Sequence, residues 1–159
     1  MNRFLRWLAA ILPERVRPEL AHATGNARAV FRHADERARA EGGVLEPQHI
    51  LYGLTAHWVG VAACVLKRLG ISAEWLSDQV PLAPGGSGRA AAAVWGESVR
   101  ALVKQARAES RSLAHNYVGT EHLLLALARL DSGTVAEVFG RLGVRYEAIR
   151  EGTRDLLGP

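Results

Sequence analysis

The chain has 159 residues, enough for one compact domain with a sizeable core or for two half-size units that share one. Hydrophobic residues at 48% and charged residues at 23% are those of a folded globular protein, so disorder throughout is excluded. The formal charge of +4 comes from interleaved acids and bases, without the concentrated basic stripe that nucleic-acid binding requires. The single cysteine, Cys64, rules out an internal disulfide, and no apolar run approaches the ~18 residues of a membrane span.

In chain order, the head (residues 1–25) places Phe4, Leu8, Ile11 and Leu12 on one helical face, with Arg3 and Arg6 off it, before Pro13. This pattern predicts an amphipathic helix packed on the body or on a partner. A secretory signal fits poorly because no small-x-small cleavage site follows, and a membrane-surface helix is the weaker alternative. Residues 26–80 read as four helices. The second of them starts at Glu46, Pro47 and Gln48, the third ends at Gly70, and the fourth carries Trp75 and Leu76. "PLAPGGSG" then marks a linker over 81–94.

Residues 95–159 read as four more helices. Val99, Leu102, Val103 and Ala106 form a stripe of helical period, and "AHNYVG" interrupts it. Thr120 suits an N-cap, with Glu121 in a first turn that favours negative charge. A third helix from about Thr134 ends at Gly143, where glycine can turn left-handed, and the apolar Val144 follows. Tyr146, Ile149 and Leu157 belong to the fourth.

The two blocks are copies. His49 falls on His122, Leu51 on Leu124, Leu54 on Leu127, and "RLGI" on "RLGV", all at a spacing of 73 residues. "ARAVFRHADERAR" falls on "VRALVKQARAESR" at 72, so the first copy is one residue shorter in the intervening turn. The repeated pattern around "HNYVGTEHLLLAL" and "GTVAEVFGRLGV" resembles the Clp N-terminal (Clp repeat) domain, closest to the ClpC type. The resemblance covers about residues 26–158 and is stronger in the second copy. It implies an all-α fold of two four-helix Clp repeats in pseudo-twofold arrangement. No G-x-x-x-x-G-K-[ST] occurs, so the expectation is a free-standing Clp N-domain without an ATPase module.

The resemblance also implies function: capture of a protein or peptide, whether a Clp substrate, an adaptor or a Clp ATPase component, in the cytoplasm, with no cofactor. In ClpC-type domains it implies a phosphoarginine pocket at Gly119, Thr120 and Glu121. A helix start and a hydroxyl there suit phosphate, and the carboxylate suits the guanidinium. In the first copy Glu46, Pro47 and Gln48 replace these residues, and that site is expected to be lost. Simple capping of a helix by Thr120 and Glu121 is the equal alternative. His49, His122, Gly70 and Gly143 are expected to be structural. Glu121 with His122 or His115 gives the alternative of a metal-dependent enzyme, though no four-ligand spacing supports a structural zinc. The basic head gives a second alternative, a binder of nucleic acid or anionic membrane. Trp7, Trp58, Trp75 and Trp95 read as core or interface anchors.

Overall fold

A computed structural model describes residues 17–80 and 92–158. The head helix expected around Phe4 to Leu12 lies outside the described residues, as does most of the linker. A 3₁₀ turn, Pro18–Leu20, leads into α1 (Gly25–Ala40). Then come a two-residue strand β1 (Val44–Leu45), α2 (Pro47–Ala56), α3 (Val61–Arg68) and α4 (Ala73–Gln79). The second copy repeats this order as β2 (Val94–Trp95), α5 (Glu97–Ser112), α6 (Thr120–Ala128), α7 (Gly133–Leu142) and α8 (Tyr146–Leu157).

Local chemistry sets these boundaries. Thr24 caps α1 by accepting from the Ala27 N–H at 3.2 Å, and Ser72 caps α4 by accepting from Trp75 at 3.1 Å. At the end of α7, Gly143 sits at φ +65° and the Val144 N–H reaches back to the Phe139 carbonyl at 2.9 Å. Gly70 (φ +79°) and Ile71 close α3 in the same way on Leu66. Both are left-handed glycine caps, which a side chain would strain.

One core joins both copies. Val30, Ile50, Leu51, Val65 and Leu66 from the first are fully buried, as are Val99, Leu123, Leu124, Leu127 and Val138 from the second. Phe31 stacks on Trp95 across the copies with ring centroids 5.3 Å apart. α2 and α6, the most apolar helices, lie at the centre and touch each other, while α1 packs on α2 and α5 on α6.

The copies also exchange short parallel pairings. β1 of the first pairs with β2 of the second, Leu45 opposite Trp95, and Ala23 before α1 pairs with Val118 before α6. At the 72- and 73-residue spacings these are the same pair met twice, with Ala23 matching Trp95 and Val118 matching Leu45. The Gly96 N–H to Leu45 carbonyl bond (3.1 Å) recurs as Thr24 to Val118 (2.9 Å). The copies are therefore related by a pseudo-twofold axis, and each supplies a strand to the other. No single described helix is long and apolar enough to cross a membrane.

Candidate functional site

The start of α6 turns inward. Gly119, with extended backbone, is its N-cap, and Thr120 is its first helical residue. The expected capping of α6 by Thr120 is therefore corrected. Its hydroxyl instead accepts the Ala62 N–H of α3 at 3.2 Å, across the two copies. Gly60, the N-cap of α3, has no side chain with which to cap that helix, and its φ of +103° suits glycine. A Cβ on Gly60 would also sit 2.8 Å from the Thr120 oxygen. Thr120 thus caps a helix of the other repeat, and is 2% exposed.

Glu121 is likewise 2% exposed. Its side chain folds back over Gly119, where a Cβ would lie 2.4 Å from one carboxylate oxygen, so this carboxylate position requires glycine at 119. Burial pushes the Glu121 carboxyl above the usual carboxylate range, although its own backbone N–H and Tyr117 pull the other way. Burial and the Glu121 charge in turn push the Tyr117 phenol up. The Glu121 Oε1 is buried and has no hydrogen-bond partner among the described residues. The expected surface pair of Thr120 and Glu121 is thus enclosed in this conformation, because the hydroxyl is used as an inter-repeat cap and the carboxylate is folded under the turn.

In the first copy Glu46 is the N-cap of α2 and Pro47 its first residue, a place proline fills well because that N–H needs no helical partner. Gln48 donates to the Glu46 carboxylate at 2.6 Å on the exposed surface. Pro47 has no hydroxyl to match that of Thr120, so the inter-repeat cap exists once.

The two histidines do the same job in both copies. His49 Nδ1 accepts the Glu46 N–H at 3.0 Å, and His122 Nδ1 accepts the Gly119 N–H at 2.8 Å. An acceptor Nδ1 leaves the proton on Nε2. His49 Nε2 then meets Glu41 at 3.1 Å, and His122 Nε2 meets His115 Nδ1 at 2.8 Å. Each histidine fastens its helix start to the end of the preceding helix. Burial first, and the neighbouring His115 second, push His122 down to about 4, so it is neutral at physiological pH.

This bonding bears on the metal alternative. His115, Glu121 and His122 do converge, with ligand atoms within 4.8 Å of one another. A metal would need the Nε2 lone pair of His122, which that nitrogen lacks while Nδ1 accepts from Gly119. The arrangement suits a hydrogen-bonded clasp.

Glu109 was not singled out from the sequence. It is 1% exposed on α5 and accepts from Arg129 (2.5 Å), Tyr146 (2.7 Å) and Gln105 (2.8 Å). Burial raises its carboxyl, but the hydrogen bonds from Tyr146, Arg129 and Gln105 outweigh this and hold it low. Arg129 also lies over the Tyr146 ring at 4.1 Å, so the cluster ties α5 to α8. The signal was legible: the apolar stripe of α5 at Val99, Leu102 and Ala106 runs on into Glu109. Of the tryptophans, Trp95 is buried, Trp58 half-buried and Trp75 46% exposed, while Trp7 lies outside the described residues. Cys64 is exposed on α3.

Comparison with known proteins places this geometry. Residues 96–159 match the Clp repeat (R) N-terminal domain family. The chain carries a Clp repeat N-terminal domain. The match falls on the second repeat, the copy that keeps "GTEH". This Clp domain is 35% identical over 112 residues to the negative regulator of genetic competence ClpC/MecB of Bacillus subtilis, covering 70% of this chain and 14% of that protein. It is 32% identical over 125 residues to the chaperone protein ClpB of Oceanobacillus iheyensis, covering 78% of this chain and 16% of that one. The chain thus spans about one-sixth of the length of such relatives. Among solved structures, a ClpV N-domain in complex with a VipB peptide has a TM-score of 0.68 at 14% identity, covering 87% of this chain and 88% of that chain. That likeness extends across both repeats.

Proposed function

We propose that this Clp domain is a polypeptide-binding module that takes a Clp substrate, an adaptor or a component of a Clp ATPase. The observation that carries the reading is the doubled Clp frame itself, shared with a ClpV N-domain solved with a peptide bound. The polar groups at the helix starts are engaged in holding the frame together, which leaves its outer surface for recognition. The full chain, immobilised, is challenged with purified Clp ATPase, adaptor and unfolded polypeptide from the same cell. Saturable binding of at least one is expected, and failure to bind any of them overturns the reading.

A narrower version has one observation in its favour. The unpartnered Oε1 of Glu121 is an acceptor with open capacity, which a guanidinium could fill if the side chain swung out. Phosphoarginine would then engage Glu121, with the Gly119 turn beside it and without the Thr120 hydroxyl. Calorimetric titration of phosphoarginine into wild type and Glu121→Ala tests this. Heat in the wild type alone supports it, and equal heats or none in either removes it.

A further inference from the structure

We infer that the second repeat carries an anion pocket, suited to a phosphoryl or carboxylate group on the side chain of a bound polypeptide. A cavity of about 300 Å³ opens beside the end of α5 and is lined by His22, Arg107, Arg111, His115, Asn116 and Tyr117 among others. Every polar side chain in that lining can donate a hydrogen bond, and none is a carboxylate.

Several of these donors are unused. Arg111 and His22 have no side-chain partner among the described residues. His115 spends Nδ1 on His122, which leaves its Nε2–H available. Arg107 gives Nη2 to the Pro18 and Glu19 carbonyls, while its Nε is buried without a partner among the described residues. Ser110 holds the loop in place by donating to the His115 and Tyr117 carbonyls at 3.1 and 2.5 Å. The nearby acceptors that would repel an anion are either hydrogen-bonded or buried. Glu109 is surrounded by Arg129, Tyr146 and Gln105, Glu121 is folded inside, and the last carbonyls of α5 are taken by Leu113, Ala114 and His115.

The duplication supplies an internal control. At the pseudo-twofold equivalents of Arg107, Tyr117 and His22 stand Asp35, Val44 and Val94. Glu41 takes the part of His115 as partner of the histidine clasp. Arg39, which matches Arg111, is paired with Asp35 at 3.5 Å. Val44 and Val94 face each other and are about half exposed. The two equivalent faces have therefore diverged, one to cations and the other to a neutralised, apolar surface. Two repeats that differ in this way favour one orientation of an asymmetric ligand. A compact pocket suits a single anionic group, whereas a nucleic acid would need a longer basic track.

The polypeptide as carrier of the anion rests on the function proposed above, but the pocket itself does not. Two arms keep them apart. In the first, inorganic phosphate is titrated into the full chain while amide and imidazole resonances are followed. Shifts confined to residues near His22, Arg111 and His115 are expected, and shifts absent or scattered overturn the pocket. In the second, a peptide carrying one phosphoserine is compared with its glutamate and serine counterparts. The phosphoserine form should bind tightest and the serine form about tenfold or more weaker. The double variant His22→Ala/Arg111→Ala, which alters exposed side chains only, should remove the difference. Equal affinities for all three peptides, an unaffected double variant, or tighter binding of a short oligonucleotide overturns the inference. Local phosphate shifts with no peptide bound would sink the polypeptide reading and leave the pocket.

Discussion

At the scale of single residues, Thr120 and His122 show how a motif is used where two repeats meet. The Thr120 hydroxyl is the cap that Gly60 cannot give to α3, so Thr120→Val leaves the Ala62 N–H buried and unpaired. A loss of about 1–2 kcal/mol is expected in urea unfolding, with Thr120→Ser close to wild type. An unchanged midpoint for Thr120→Val would contradict the inter-repeat cap. His122 sets a pH dependence. Unfolded, it takes a proton below about pH 6.5, whereas in the folded chain it does so only near 4. It therefore withdraws stability as pH falls from about 6.5 to 4, and no more below that. Glu121 acts with the opposite sign. Its raised affinity means that the folded chain holds a proton the unfolded chain has released, so its buried charge costs stability as pH rises. Glu121→Gln removes this opposing contribution. The variant should be more stable at pH 7, by up to about 1 kcal/mol, and should lose stability more steeply between pH 6.5 and 4. Denaturant midpoints at a series of pH values check both; parallel curves for wild type and variant would contradict the assignment.

At the scale of elements, the helices were legible because their apolar spacing and their terminal glycines are local signals. Gly70 and Gly143 end α3 and α7 where the sequence places them. The cap at Thr120 was misplaced because its partner, Ala62, is distant in the chain and belongs to the other copy. Threonine before an apolar run reads locally as a cap of its own helix. Gly53 shows the same limit. It lies mid-helix in α2, where a Cβ would come within 2.3 Å of the Val30 carbonyl of α1. Its counterpart in the second copy is Ala126, so α1 and α2 approach more closely than periodicity could reveal. Because the clash is with backbone, Gly53→Ala should cost about 2–3 kcal/mol in thermal or urea unfolding despite the better helix propensity of alanine. A neutral or stabilised variant would contradict this close packing.

At the scale of the whole molecule, the reciprocal pairings make the repeats interdependent. Residues 95–158 alone would lack Ala23 opposite Val118 and the Leu45 strand opposite Trp95, and would expose the faces of α6 and α8 that contact the first repeat. That fragment should show little cooperative unfolding by circular dichroism, while the full chain unfolds in one transition; an independently folded fragment would contradict the shared core. The duplication made the pseudo-twofold frame readable from the sequence. Which side of each motif faces water was not readable, because burial at 120 and 121 depends on where the other repeat lies. The central claim is that this Clp domain binds polypeptide on its outer surface while the start of α6 serves as an internal joint. Titration of an unfolded polypeptide into wild type and Glu121→Gln tests it most directly. Saturable binding with affinities equal within about twofold is the predicted result; no binding by the wild type, or a tenfold loss in a Glu121→Gln variant that remains folded, would contradict it.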